Sequence, residues 1–428
     1  MPEKLRREQV RLDFYLLKDF CLQYNKSFTQ SEFFGVLVFH QQVNRKLSTV
    51  DSLRFVRGVL LAGVCPLLAF SALTKPLTAQ EQSLKQAASG VLSIGVGISD
   101  QIAKQPDTWE LLNRHFSIVT PENCMKPDAV QHDAGNFNFD TPDQFVEFAG
   151  KNNLKVVGHC LVWAKDDRTP PWFFKDGDKV AGRELLLDRM RTHITTVVAR
   201  YKGKIAQWDV VNEAIDDGDG YLRNSGWTTA CGEEFIAEAF RAAHLADPDA
   251  LLIYNDYNNE KPAKRERMVR LISSLLAQGV PVHAIGLQGH YEIDQIPLAE
   301  IDATIEAVKA LGLKVVVSEL DIDVIPRGKW WAENGKYRDE LAKVNPYVDA
   351  CPPEILQRQA EQYAAMFAIF RKHRESILRV SFWNLHDGQS WLNYFPWNRV
   401  NHPLLFDRQQ QPKPAFHAVI HELTKPLQ

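Results

Sequence analysis

The sequence predicts a single (β/α)8 barrel, a TIM barrel of the α/β class, and three observations carry that expectation. From residue 90 onward one theme recurs: a short β-branched run, a polar or aromatic tip, then a stretch of helical period. There are eight such runs, and they are almost wholly apolar, as strands buried on both faces must be. Strands alternating with helices imply a parallel sheet, and eight such units imply closure.

In chain order the strand runs are 90–97 (GVLSIGVG), 117–120 (SIVT), 154–158 (LKVVG), 205–211 (IAQWDVV), 251–254 (LLIY), 282–287 (VHAIGL), 313–317 (LKVVV) and 377–382 (ILRVSF). The stretches between them have helical periodicity. In 300–311 (EIDATIEAVKAL), Ile301, Ile305 and Val308 share one face, and a helix over 183–200 fills the third connection.

The chain has 428 residues, 45% hydrophobic and 24% charged, with a formal net charge of −3. That content suits a large core and excludes a disordered chain. Near-neutral charge argues against a nucleic-acid partner, which would need a basic face. Six Cys in this length exclude a disulfide scaffold. Residues 1–57 hold ten Lys/Arg and six Asp/Glu, net +4, so the remainder carries −7.

The run 58–74 (GVLLAGVCPLLAFSALT) is uncharged, follows Arg54 and Arg57, and precedes small residues: Ala69-Phe70-Ser71 and, more weakly, Leu77-Thr78-Ala79. Basic flank, apolar run and small residues form a secretory signal pattern. Pro66 and the 17-residue length favour a cleaved signal over an anchor; a buried helix is the third reading. The expected organisation is an extension over 1–49, mis-called or disordered, a signal-like segment over 50–79 and a barrel over 85–425. A small cytoplasmic domain, with 33–39 (FFGVLVF) as a strand, is the alternative for the extension. The protein is expected to be secreted or periplasmic, monomeric, and free of stable membrane association once the signal is removed.

Barrels of this kind build their sites at the C-terminal ends of the strands. Those ends supply Glu122, Asn123 and Lys126; His159 and Trp163; Asn212 and Glu213; Tyr257 and Asn258; Gln288 and His290; Glu319 and Asp321; and Trp383, followed by Trp391. Carboxylates and amides bind sugar hydroxyls, while flat rings stack on sugar C–H faces. No Cys/His spacing suggests a metal, and no Gly-rich loop follows the first strand, so no cofactor is expected. Glycoside hydrolysis needs a proton donor and a second carboxylate across the anomeric carbon. Glu213 ends the fourth strand and Glu319 the seventh. Alternation after Val315 and Val317 turns Glu319 into the barrel.

The segments Glu122-Asn123-x-Met125-Lys126, Gly158-His159-x-Leu161-Val162-Trp163, Trp208-Asp209-Val210-Val211-Asn212-Glu213-Ala214, Tyr254-Asn255-Asp256-Tyr257-Asn258 and Glu319-Leu320-Asp321-Ile322 occur in an order that resembles glycoside hydrolase family 10. So does the tail from Pro403-Leu404-Leu405-Phe406-Asp407-Arg408 to Gln411-Pro412-Lys413-Pro414-Ala415-Phe416. The resemblance covers about residues 85–425 and implies a retaining endo-1,4-β-xylanase acting on xylan or xylo-oligosaccharides. It implies Glu213 as general acid/base and Glu319 as nucleophile, about 5–5.5 Å apart. Asn212 would bind the 2-hydroxyl of the −1 sugar, and Gln288 would bond Glu213. His290 would sit by Glu319, held by Asp321. His159, Lys126 and Trp163 would hold the −1 sugar, and Glu122 with Asn123 the −2 sugar. Trp383 and Trp391 would wall the glycone side, with Tyr257 and Asn258 facing the +1 sugar. A cis peptide between His159 and Cys160 is also implied.

The sequence departs from the family pattern at Ala164, where His is usual, in the charged loop 165–170, and at Asn384, where Gly is common. Several residues carry two readings. Trp208 and Asp209 read as structural, Trp227, Trp330 and Trp331 as loop residues or aglycone platforms, and His386 as a pocket cap or a backbone partner. Cys124, Cys160, Cys231 and Cys351 allow three pairings, of which Cys124 with Cys160 is the nearest, and neither need be bonded. The functional alternatives are a related β-1,4-glycanase, an exo-xylosidase, or a non-catalytic barrel that binds polysaccharide.

Overall fold

The structure is a computed structural model that describes residues 82–426. The extension and the signal-like segment lie outside the described residues. Eight parallel strands form the barrel: β1 (Ile94–Ile98), β2 (Ile118–Pro121), β3 (Lys155–Trp163), β4 (Ile205–Asn212), β5 (Leu251–Asp256), β6 (Ala284–Leu287), β7 (Lys314–Asp323) and β8 (Ile377–Trp383). They pair in chain order, and β8 closes the ring against both β7 and β1.

The outer ring is α1 (Trp109–His115), α2 (Asp140–Lys151), α3 (Arg183–Arg200), α4 (Glu234–Ala246), α5 (Pro262–Ala277), α6 (Leu298–Ala310), α7 (Pro353–Lys372) and α8 (Pro414–Thr424). Each turns an apolar stripe inward. In α6 the buried residues are Ile301, Thr304, Ile305 and Val308, the face read from the periodicity. Among the described residues no helix is long and apolar enough to cross a membrane.

The first strand begins later than residue 90. Ser83 caps a short helix, Leu84–Ala87, through a reciprocal bond with Gln86, and Gly90 takes a left-handed turn at φ +75°. The apolar pair Val91 and Leu92 therefore packs as a connection, and β1 starts at Ile94. At the other extreme, β3 and β7 run several residues past their apolar cores. These extensions carry His159 to Trp163 and Glu319 to Asp321 onto the rim.

Three register shifts near the rim do the fine aiming: between His159 and Val162 on β3, between Asp209 and Val211 on β4, and between Val317 and Leu320 on β7. A bulge sets two residues against one on the partner strand and re-aims side chains. On β7 its effect is direct. Consecutive side chains Ser318 and Glu319 both reach Asn255, which strict alternation would forbid.

Candidate active site

The two carboxylates stand at the C-terminal face and are joined through amides. Asn255 Nδ2 donates to Glu319 Oε1 at 2.8 Å and to Asn212 Oδ1 at 2.9 Å. Asn212 Nδ2 is 3.4 Å from Glu213 Oε1, which also accepts from Gln288 Nε2 at 3.1 Å. Ser318 Oγ donates to Asn255 Oδ1 at 2.6 Å and fixes which way that amide points. This network needs Gly286 on the neighbouring strand, because a Cβ there would lie 2.2 Å from Asn255 Oδ1.

His290 Nε2 lies 3.2 Å from Glu319 Oε2, and its Nδ1 lies 2.9 Å from Asp321 Oδ2. Trp391 Nε1 donates to the same Asp321 oxygen at 2.8 Å. Burial pushes the Glu319 carboxyl up, but the hydrogen bond from His290, the charges of His159 and His290 and the bond from Asn255 outweigh it and hold the group at about 2. Burial likewise pulls the His290 imidazole down. The charge and hydrogen bond of Asp321, with those of Glu319, outweigh that and raise it to about 9. The result is a cationic ring between two carboxylates.

The remaining residues line one cleft of about 1040 Å³. Buried His159 places Nδ1 2.8 Å from Asp209 Oδ2 and meets Trp383 edge to face at 5.4 Å. Trp383 covers Gly97, where a Cβ would come within 2.5 Å of its ring. Lys126 donates to Asn123 Oδ1 at 2.9 Å and stands 5.0 Å over the Trp163 ring. Asn123 is exposed beside the cleft, whereas Glu122, Lys126 and Trp163 line it. Burial pushes the Glu122 carboxyl up despite Lys126. Tyr257 and Asn258 line the far end, where Asn258 Nδ2 donates to Asp217 Oδ1 at 2.8 Å.

Asn384 explains its own departure from glycine. Its φ of +80° is one that Gly adopts freely and Asn tolerates. Its side chain then adds what Gly cannot: Nδ2 donates to Glu122 Oε2 at 3.1 Å, and Oδ1 accepts from the Trp391 amide at 2.9 Å.

Other open readings resolve by burial. Trp208 and Trp227 are core residues, and Trp227 Nε1 donates to Thr169 Oγ1. Trp330 packs on Trp397, while Trp331 lines the cleft beside Phe395, near Trp391 rather than Tyr257. His386 accepts from the Gly388 amide, a backbone partner. All four described cysteines are free and buried, and burial pushes the Cys124 and Cys160 thiols up. The peptide between His159 and Cys160 is cis.

Sequence reasoning assigned nothing to Asn255 or Arg223. Asn255 was visible as a polar residue ending a buried strand. Arg223 comes from an irregular loop and donates through Nε to the Glu213 carbonyl at 3.0 Å and through Nη2 to Tyr257 OH at 3.0 Å, with Nη2 3.5 Å from Glu213 Oε2. No pattern in the sequence marks it.

A family model described as glycosyl hydrolase family 10 matches residues 83–422. The chain is 40% identical over 341 residues to an endo-1,4-β-xylanase of Geobacillus stearothermophilus, covering 79% of this chain and 98% of that protein. It is 38% identical over 343 residues to endo-1,4-β-xylanase B of Paenibacillus barcinonensis, covering 79% and 97%. Among solved structures, a GH10 endoxylanase retrieved from a sugarcane soil metagenome superposes with a TM-score of 0.74 at 38% identity, covering 80% of this chain and all of that one. Xylanase B from Clostridium stercorarium F9 gives 0.73 at 36% identity, covering 79% and 99%. With the match running over the whole barrel and these relatives covered almost end to end, the chain belongs to glycosyl hydrolase family 10 and is a glycoside hydrolase.

Proposed function

We propose that the enzyme is a retaining endo-1,4-β-xylanase. One observation carries the division of labour: Glu319 is held ionised by hydrogen bonds from a cationic His290 and an amide, while the side-chain hydrogen bonds of Glu213 come from amides, with the Arg223 guanidinium standing off at 3.5 Å. In the first step Glu319 attacks the anomeric carbon. The glycosidic C–O bond breaks, and Glu213 gives its proton to the leaving oxygen. In the second step Glu213 takes a proton from water, the water oxygen bonds to the anomeric carbon, and the Glu319 ester bond breaks. Asn212, tied to both Asn255 and Gln288, would bind the 2-hydroxyl of the sugar at the reacting carbon.

Lys126, His159 and Trp163 would hold that sugar, Glu122 and Asn123 the next, Trp383 and Trp391 their apolar faces, and Tyr257 and Asn258 the leaving sugar. The names of the relatives support xylan as the substrate. Reducing-sugar release from xylan, cellulose and mixed-linkage glucan, with sizing of products, tests the reading. Internal cuts in xylan at the highest kcat/KM are expected, and a preference for cellulose or release of xylose alone would overturn it. Export is proposed from Arg54, Arg57 and the apolar run that follows. N-terminal sequencing of the mature protein should find a start after Ser71 or Ala79, and an intact start at Met1 would contradict it.

A further inference from the structure

Three aromatic side chains continue the cleft beyond the residues used above. Trp391 sits beside His290, ring centroids 4.9 Å apart, and so belongs to the reacting centre. Phe395 lies against it at 5.0 Å with ring planes within 24°. Trp331 follows at 5.8 Å and 33°. All three line the cleft, so the strip leads outward from the carboxylates. It is left in water at a cost: Trp331 is 52% exposed and Phe395 37%, and with Tyr394 they make up half of the six large exposed hydrophobics among the described residues. Clustered exposed apolar surface marks a binding site more often than scattered exposure does.

The strip is also held in place. The turn Gly328–Trp331 presents two adjacent tryptophans differently. Trp330 stacks on Trp397 at 5.1 Å and 25°, and Trp397 Nε1 donates to the Val344 carbonyl. The Arg338 guanidinium stands 5.7 Å from both Trp rings, and its Nε donates to the Trp330 carbonyl. The Gly328 amide donates to Glu292 Oε2, another cleft residue. Trp330 thus anchors the turn, and Trp331 faces the cleft already ordered. A ring fixed in advance loses little entropy on binding.

We propose that Trp331, reached through Phe395, is a distal platform for a further β-1,4-linked xylosyl residue of the main chain, beyond those held by Trp391 and Trp383. A pyranose ring offers the C–H face that a half-exposed indole can cover, and continuity with the cleft identifies the occupant as part of the same substrate chain. The assignment rests on the xylanase reading.

The test compares substrate lengths. Wild type, Trp331→Ala and Trp331→Phe are assayed on an aryl β-xylobioside, xylotriose, xylohexaose and a side-chain-decorated xylan. Trp331→Ala should lower kcat/KM on xylohexaose by about tenfold, mainly through KM, leave the aryl xylobioside within a factor of two, and shift the xylohexaose product pattern. Trp331→Phe should recover most of the loss. Equal kcat/KM on all lengths would overturn the platform. So would an equal loss on all lengths, which would mean a structural role, or a loss confined to side-chain-decorated xylan. A wild type inactive even on the aryl xylobioside would sink the xylanase reading itself, a result separable from the other three.

Discussion

The surroundings of the two carboxylates differ in kind. Glu319 sits within a strand at a bulge, its side chain 7% exposed, between a buried amide and a cationic imidazole. Glu213 sits just past the end of β4 at φ +59°, its side chain 13% exposed. One side-chain oxygen meets Gln288 and Asn212, while the Arg223 guanidinium hydrogen-bonds its backbone carbonyl and Tyr257 and stands 3.5 Å from the other oxygen. A cation hydrogen-bonded to a carboxylate favours its anion, and of the two groups Glu319 has such a bond, from His290. The difference supports the proposed reading, in which Glu319 at β7 is the ionised nucleophile and Glu213 at β4 moves the proton. That is the pairing double displacement requires.

The strongest attack on this contrast is Glu319→Ala. Loss of the proposed nucleophile should lower xylan turnover by roughly 10^5-fold with every leaving group. Steady-state rates on xylan and on a dinitrophenyl xylobioside check it, and a variant that kept activity on the activated substrate would contradict it. Glu213→Ala should cost about 10^3-fold on xylan. Formation of the glycosyl-enzyme from the activated aryl substrate should survive, because that leaving group needs little protonation. A pre-steady-state burst with a lowered KM is the expected signature.

His290→Asn sharpens the electrostatic half of the comparison. With the cation gone, burial dominates, and the Glu319 carboxyl must rise from about 2. The acid limb of kcat/KM should then move up by about one pH unit or more. The stability consequence has a definite window. Glu319, lowered from 4.5, contributes fully above 4.5 and loses its contribution as pH falls through about 2. His290, raised from 6.5, contributes fully below 6.5 and loses its contribution as pH rises through about 9. The Tm gap between wild type and His290→Asn should therefore be widest between pH 4.5 and 6.5. A gap that did not vary with pH would show that the ring acts by packing alone. The smallest effect is Asn384→Gly, which keeps the backbone geometry but removes the link between Glu122 and Trp391. About a threefold rise in KM is expected, and an unchanged KM would make the link incidental.

How much of this was legible in the sequence follows from how local each signal is. Strands such as 251–254 and 313–317 declare themselves by composition, and the polar tips after them identify the rim. The start of β1 was misplaced because Val91 and Leu92 look like strand but pack as a connection. Alternation along β7 turned Glu319 inward, but it could not show the bulge that brings Ser318 to Asn255 as well. Nor could it show Asp323 bonded to Arg399 and Asn401, more than seventy residues away. Arg223 reaches the cleft from an irregular loop and Trp331 from a single helical turn, too short for a period to set the direction of a side chain. What the residues say one at a time was readable, while what depends on a register shift or a long-range contact was not.

In the proposed mechanism Glu319 forms the covalent bond and Glu213 moves the proton. Azide tests it most directly, since it attacks without needing a base. Added to Glu319→Ala with an activated aryl xyloside, it should occupy the place of the lost nucleophile and give the inverted glycosyl azide. Added to Glu213→Ala, it should intercept the covalent intermediate and give the azide with retention. Proton NMR of the anomeric signal distinguishes the two. Products of opposite configuration are what the structure predicts, and the same anomer from both variants would contradict the assignment.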